Sequence, residues 1–238
     1  MTTTHRGLPG RTAALVFGLV AMVAAVALVV VVVRAQQSAP RPRDSGRINA
    51  GATPGAQHRA HGSTQGKDQG AAQTPPPLPA SRPVSITIPA IGVHTVVNQL
   101  GLAGDGTLAV PQPGPHLDQA AWFENSPTPG QPGPSIIEGH VDSVEGPSVF
   151  FKLGAVRTGD RIVVRRADGR SLTFEVNAVR DYLKTSFPTT VVYGGRDLSQ
   201  PTLRLITCSD FDASIQHHVG NEVVFAHLVH ATRPAHAS

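Results

Sequence analysis

From Val84 onward, apolar residues recur at every second position or gather in short bursts rich in valine and isoleucine. That spacing is the signature of strands, whose side chains alternate between two faces. It predicts strands at Val84–Ile88, Thr107–Val110, Ser135–His140, Asp160–Arg166, Ser171–Val179, Thr202–Cys208 and Glu222–Val229. Clusters of Pro, Gly and Asp separate them, at Ala103–Gly106, Pro111–Pro115, Pro127–Pro134 and Ala167-Asp168-Gly169. The last of these joins two strand patterns into an expected β-hairpin. No stretch carries a long helical period, and only short helical turns are expected, near Gln119–Phe123 and Ser148–Leu153. Many short strands with loop punctuation predict a mainly β fold, closed or nearly closed into a barrel.

The first third of the chain follows other rules. After a short tail, residues 1–12, Ala13–Val33 is an uncharged apolar run flanked by Arg11 and Arg34. As a helix it spans about 30 Å, the thickness of the hydrocarbon core, and is long for a cleaved signal peptide. It is expected to be an uncleaved, single-pass transmembrane anchor. Counting the flanking Lys and Arg places the following chain inside the cell. Translocation of long domains largely ignores such charges, so the expectation is an extracytoplasmic C-terminal domain at the cell membrane. Residues 34–83 are rich in Gly, Ala, Pro, Gln and Ser, with Pro75-Pro76-Pro77. Such composition buries too little apolar surface to offset ordering entropy, and reads as a disordered linker. Residues 84–231 are the size of one domain, and residues 232–238 form a C-terminal tail.

Charge sharpens this division. Residues 1–82 hold nine Lys and Arg against two Asp and Glu, whereas residues 83–238 hold eleven against fourteen. The basic character therefore belongs to the anchor and linker, where it suits anionic lipid head groups. The domain has no basic stripe interleaved with aromatics, which argues against nucleic acid as a partner.

Cys208 is the chain's one cysteine and ends the run Leu203–Cys208. It can form no disulfide within its own chain. It is a link between copies, a buried small hydrophobe, or a reactive group. A free thiol has a pKa of about 8.5 and needs help to act as a nucleophile near pH 7. The segment Ile136-Ile137-Glu138-Gly139-His140-Val141-Asp142-Ser143 offers a histidine just after an apolar strand and an aspartate two residues later. A histidine near a thiol can take its proton and later pass one to a leaving amine.

Placed together, these pieces resemble the sortase family, in particular the class F sortases of actinobacteria. The matching stretches are Glu138–Ser143, Val149-Phe150-Phe151-Lys152-Leu153 with Gly159-Asp160, Phe187-Pro188-Thr189, Val192-Tyr193-Gly194, Leu203–Cys208, Phe211-Asp212 and Asn221–Ala226. The resemblance covers essentially all of residues 84–228. It implies an eight-stranded β-barrel and a membrane-anchored cysteine transpeptidase. Such an enzyme cleaves a C-terminal sorting signal of the Leu-Pro-x-Thr-Gly type through a thioacyl intermediate. It then transfers the product to an amine, such as a peptidoglycan precursor. On this resemblance Cys208 is the nucleophile and His140 the general acid/base. Asp142 orients the histidine loop, and Thr207 shapes the surroundings of the thiol.

The family also uses an arginine to stabilise the substrate carbonyl as charge develops. Here the corresponding stretch reads His217-His218-Val219-Gly220-Asn221, with Val219 in the arginine's place. Arg204 is the expected substitute. It shares a strand face with Ile206 and Cys208, at roughly 13 Å between the α-carbons of residues 204 and 208. His217 or His218 is the alternative donor. No metal-binding run such as His-Glu-x-x-His occurs, Asp210-x-Asp212 is too short for a calcium loop, and no glycine-rich loop precedes a helix. No metal or cofactor is expected. The competing reading is a sortase-fold surface module that is non-catalytic, or resolves its acyl-enzyme with water.

Overall fold

The computed structural model describes residues 39–42, 75–194 and 198–232. The expected anchor at 13–33, most of the linker and the last six residues lie outside them. Among the described residues no helix is long and apolar enough to cross a membrane.

Strands form where the alternation is strongest: β1 (Pro83–Ile88), β2 (Val93–Leu100), β3 (Ala120–Phe123), β4 (Gly133–Glu138), the two-residue β5 (Asp142–Ser143) and β6 (Gly146–Pro147), β7 (Arg161–Arg166), β8 (Ser171–Leu183), β9 (Pro201–Asp212) and β10 (His217–Ala231). Eight of them close a barrel in the order β1-β2-β3-β4-β9-β10-β8-β7, with β7 returning to β1. Closure removes the unpaired edges that an open sheet would expose. The β2–β3 and β4–β9 pairs are parallel, and the other pairs are antiparallel. The hairpin β7–β8 turns where Ala167-Asp168-Gly169 was read as its turn.

Alternation decides which residues fill the barrel. Ile137, Leu203, Leu205, Leu172, Phe174, Val224 and Leu228 are fully buried in the main core. Burying each is worth roughly 1.5–3 kcal/mol. The intervening residues of β4, β9 and β10 form a second apolar cluster, with Ile136, Ile206 and Val223 packed beside Val192. Every residue of β4 is buried. That is why β4 shows no alternation of apolar and polar positions, its buried set including Ser135 and Glu138 as well as Ile136 and Ile137.

Three local expectations are corrected. Thr107–Val110 is not a strand, and only Leu108 bridges Leu102. Asp105 Oδ1 accepts hydrogen bonds from the Thr107 N–H and hydroxyl, which turns the chain there. Ala120–Phe123 is a strand rather than a helical turn, because β2 and β4 flank it on both sides. Val93–Leu100 escaped the sequence reading because only Val97 is buried within it. Its extended form comes from pairing with β1 and β3.

The end of the linker is also more ordered than its composition implied. The Leu78 N–H donates to the Gly130 carbonyl, and the Ser81 N–H to Thr128 Oγ1. Arg166, with a fully buried side chain, donates to the carbonyls of Pro79 and Pro129 and to Asp168, each at 2.7–2.8 Å. A buried guanidinium needs such partners. Here they tie linker, loop and hairpin together.

Candidate active site

The parallel register of β4 and β9 builds the site. Glu138 lies opposite Ile206. His140 and Cys208 each follow two residues later, His140 just past the end of β4 and Cys208 on the adjacent strand β9, the strands running roughly 4.8 Å apart. The Gly139 N–H donates to the Ile206 carbonyl, and Thr207 Oγ1 donates to the Gly139 carbonyl at 2.8 Å. The residue before the histidine is thus bonded to the residues before the cysteine. Gly139 must be glycine: a Cβ there would stand 2.6 Å from Val149 Cγ1 and 2.8 Å from Phe150 Cδ2. The same turn fixes the histidine backbone, through the Phe150 N–H donating to the His140 carbonyl.

His140 Nε2 lies 2.8 Å from the carbonyl oxygen of Pro111, in the long β2–β3 connection. A carbonyl can only accept, so Nε2 carries a proton and Nδ1 holds the lone pair of the neutral ring. Among the described residues no hydrogen bond joins His140 to the Cys208 thiol, which is free and half-buried. Asp142 does not reach the His140 ring. Its Oδ1 lies 2.9 Å from His218 Nε2, linking the histidine loop to β10. His218 also packs edge-on against Phe211. His217 is exposed at the start of β10.

Arg204 faces the second apolar cluster and is 8% exposed. Its guanidinium sits 4.6 Å from the ring centroid of Phe225, its direct neighbour across β10. Nη1 donates to the Leu203 carbonyl, and Nε has no partner among the described residues. The head group therefore reaches sideways onto β10 rather than along β9 toward Cys208. Burial lowers its pKa to about 10. Beyond Cys208, Asp210 adopts a positive φ of 53°, a conformation that favours glycine but that aspartate tolerates. Asp210 also pairs with Arg41 at 3.3 Å.

Two buried carboxyls escaped the sequence reading as site candidates. Glu138, 5% exposed, shares the face of Ile136, and desolvation raises its pKa to about 8. Glu222 points into the barrel end opposite Asp181 and Thr207. Desolvation, then the charge of Asp181, raises its pKa to about 8. Its Oε2, with the carbonyl of Pro40, fills the space that a Cβ on Gly154 would need. The only signal in sequence was an acid interrupting an apolar burst, as in Ile136-Ile137-Glu138. Among the described residues no group of three His, Cys, Asp or Glu side chains could hold a metal ion.

The parallel register thus sets His140, just past β4, beside Cys208 on β9 of a closed eight-stranded barrel. The sortase domain model matches residues 86–229, and the chain belongs to the sortase family of cysteine transpeptidases. No curated protein matches the chain. Solved structures similar to it include sortase A of Listeria monocytogenes, at 17% identity over 66% of this chain and 93% of that one, with a TM-score of 0.48. A lid mutant of sortase A from Corynebacterium diphtheriae is 24% identical over 63% and 73%, with a TM-score of 0.48. A sortase D5 transpeptidase of Clostridium perfringens is 24% identical over 63% and 79%, with a TM-score of 0.46. Family membership implies a sorting-signal peptide as substrate and an amine as acceptor.

Proposed function

We propose that this chain is a class F sortase, anchored in the cell membrane by residues 13–33 with its barrel on the extracytoplasmic side. Its substrate is a C-terminal sorting signal of the Leu-Pro-x-Thr-Gly type. The observation that carries this reading is the parallel β4–β9 register, which supports a working pair of His140 and Cys208. His140 Nδ1 takes the proton of the Cys208 thiol, and the resulting thiolate attacks the threonine carbonyl carbon. The tetrahedral intermediate collapses with cleavage of the Thr–Gly C–N bond, and the glycine nitrogen leaves as an amine with a proton from His140. The acceptor amine, such as that of a peptidoglycan precursor, then attacks the thioester and gives its proton to His140. Cys208 leaves as thiolate.

Thr207 and Asp142 act through the backbone and the loop that carry these groups. Arg204 is proposed as the arginine of the site. It is on the Cys208 face, and its unpartnered Nε leaves it a donor for substrate oxygen. Reaching the reacting carbonyl requires the side chain to leave Phe225. A second reading rests on Val219 at the family's usual arginine position: a surface module that binds a peptide without turnover, or hydrolyses it.

The test incubates the full chain with a panel of quenched Leu-Pro-x-Thr-Gly peptides and an amine, and follows Cys208 by mass spectrometry. A thioester that the amine resolves, absent in Cys208→Ala, establishes the transpeptidase. Loss of that adduct in Arg204→Ala assigns the arginine. Resolution by water alone supports the hydrolytic module. A folded chain with a reactive thiol but no adduct sinks the catalytic reading.

A further inference from the structure

The outer face of β4 and β9 carries a group that the catalytic reading does not use. On β4 the outward sequence is Ile136, Glu138, then His140 just beyond the strand. On β9 it is Arg204, Ile206, Cys208, with Ile136 opposite Arg204 and Glu138 opposite Ile206. Glu138 thus stands one step behind the proposed catalytic pair, on the face where a peptide must lie to present its carbonyl to Cys208. Around it are Ile136, Ile206 and Val192 of the second apolar cluster. Its side chain has no hydrogen bond or ion pair among the described residues and is 5% exposed. An isolated carboxyl in such surroundings costs several kcal/mol to ionise, and even neutral it wants a partner.

We propose that Glu138 is a specificity-determining group of the peptide groove: as a neutral carboxylic acid it hydrogen-bonds the backbone of the bound sorting signal, donating to a peptide carbonyl and accepting from a peptide N–H. This rests on the transpeptidase reading and adds to it a contact made to peptide amide rather than to a charged side chain. The groups that share its surroundings are consistent with a neutral acid. From the turn Thr190–Gly194, Tyr193 faces it, and burial and the nearby Glu138 both raise the pKa of that phenol. From β9, Arg204 is on the same face but held over Phe225, and no ion pair joins it to Glu138. Cys208 and His140 lie one step further toward the strand ends. β3 presents no titratable residue, its sequence being Ala-Ala-Trp-Phe. Glu138 therefore offers one donor and one acceptor, the complement of a peptide unit.

The test measures transpeptidation of a Leu-Pro-Ala-Thr-Gly peptide by the full chain between pH 6 and 9, with Glu138→Ala, Glu138→Leu and Glu138→Gln. Glu138→Ala and the volume-keeping Glu138→Leu are expected to raise KM about tenfold and change kcat far less. Glu138→Gln, which keeps a donor and an acceptor, is expected to restore most of that loss. The wild-type KM is expected to climb above about pH 8, as the acid loses its proton, and the Gln variant's KM to climb less. That difference assigns the pH dependence to Glu138 rather than to another group. An unchanged KM in both apolar variants overturns the proposal. So does a Gln variant as impaired as Ala with a wild-type KM that improves on ionisation, since the working form is then an anion that reads a cation. If no thioester forms at all, the transpeptidase reading fails separately. Binding of the same peptide to the chain and its Glu138 variants then decides: about tenfold weaker binding in Ala and Leu keeps the proposal, and equal or absent binding overturns it.

Discussion

The hydroxyl of Thr207 donates a 2.8 Å hydrogen bond to the carbonyl of Gly139, joining the residue before Cys208 to the residue before His140. Both groups are buried, so the bond is protected from water and holds the end of β4 in register with β9. Thr207→Val keeps the shape and leaves the Gly139 carbonyl without this donor. The expected cost is about 1 kcal/mol of stability. The rate of thioester formation on Cys208 is expected to fall more steeply than substrate binding. Denaturant unfolding and single-turnover mass spectrometry check the two effects. Equal losses in rate and binding would reject this role.

Gly139 is set by packing rather than by backbone conformation. A methyl group there would enter the space of Val149 and Phe150. Gly139→Ala is expected to displace the histidine loop, to cost about 1–3 kcal/mol and to abolish most of the activity. Adding Val149→Ala makes room on one side and should restore part of both. A double variant no better than the single would place the fault elsewhere.

The buried carboxyls give stability a pH dependence of defined sign. Glu222 and Glu138 each have a folded-state pKa of about 8 against an ordinary 4.5. Between those values the folded chain holds protons that the unfolded chain has released. Stability is therefore highest below about pH 4.5 as far as these two groups act, and is lost as pH rises toward 8. Asp105 and Asp212, whose pKa values are lowered by hydrogen bonds to Thr107 and Ser214, act in a separate window below pH 4. Melting curves across pH 5–8 are expected to show a falling midpoint for the native chain and a flatter profile for Glu222→Gln. Parallel profiles would refute the assignment.

Arg166 is the polar linchpin at the other end of the linker contact. Arg166→Met removes the donor for the Pro79 and Pro129 carbonyls and leaves Asp168 with Arg170 as its remaining arginine partner. A loss of about 3 kcal/mol is expected, read as a lower melting temperature. Protease cleavage within residues 75–82 is also expected to speed up. An unchanged cleavage rate would show that the linker is held by other contacts.

The alternating apolar residues of β1, β7, β8, β9 and β10 announced those strands. Each strand buries one face deeply, and that requirement is written locally. The β7–β8 turn was legible for the same local reason. Asp142 illustrates the limit. The resemblance implied that it orients the histidine loop, and only the fold shows that its side chain meets His218 on β10. Arg204 could be placed on the Cys208 face by counting, but not over Phe225, because the direction of a long side chain depends on its neighbour across the sheet.

By itself, then, the sequence determined the periodicity, the β class, the lone cysteine and the histidine motif, since each depends on residues near one another in the chain. Tertiary structure decided the strands β2 and β3, which are extended because of what pairs with them. It also decided that the end of β4 adjoins β9 just before Cys208, and that Glu138 is buried with no partner among the described residues. Those facts depend on parallel pairing between residues some seventy positions apart. No local pattern encodes such a register. It emerges only when the barrel closes and every buried backbone group must find a partner.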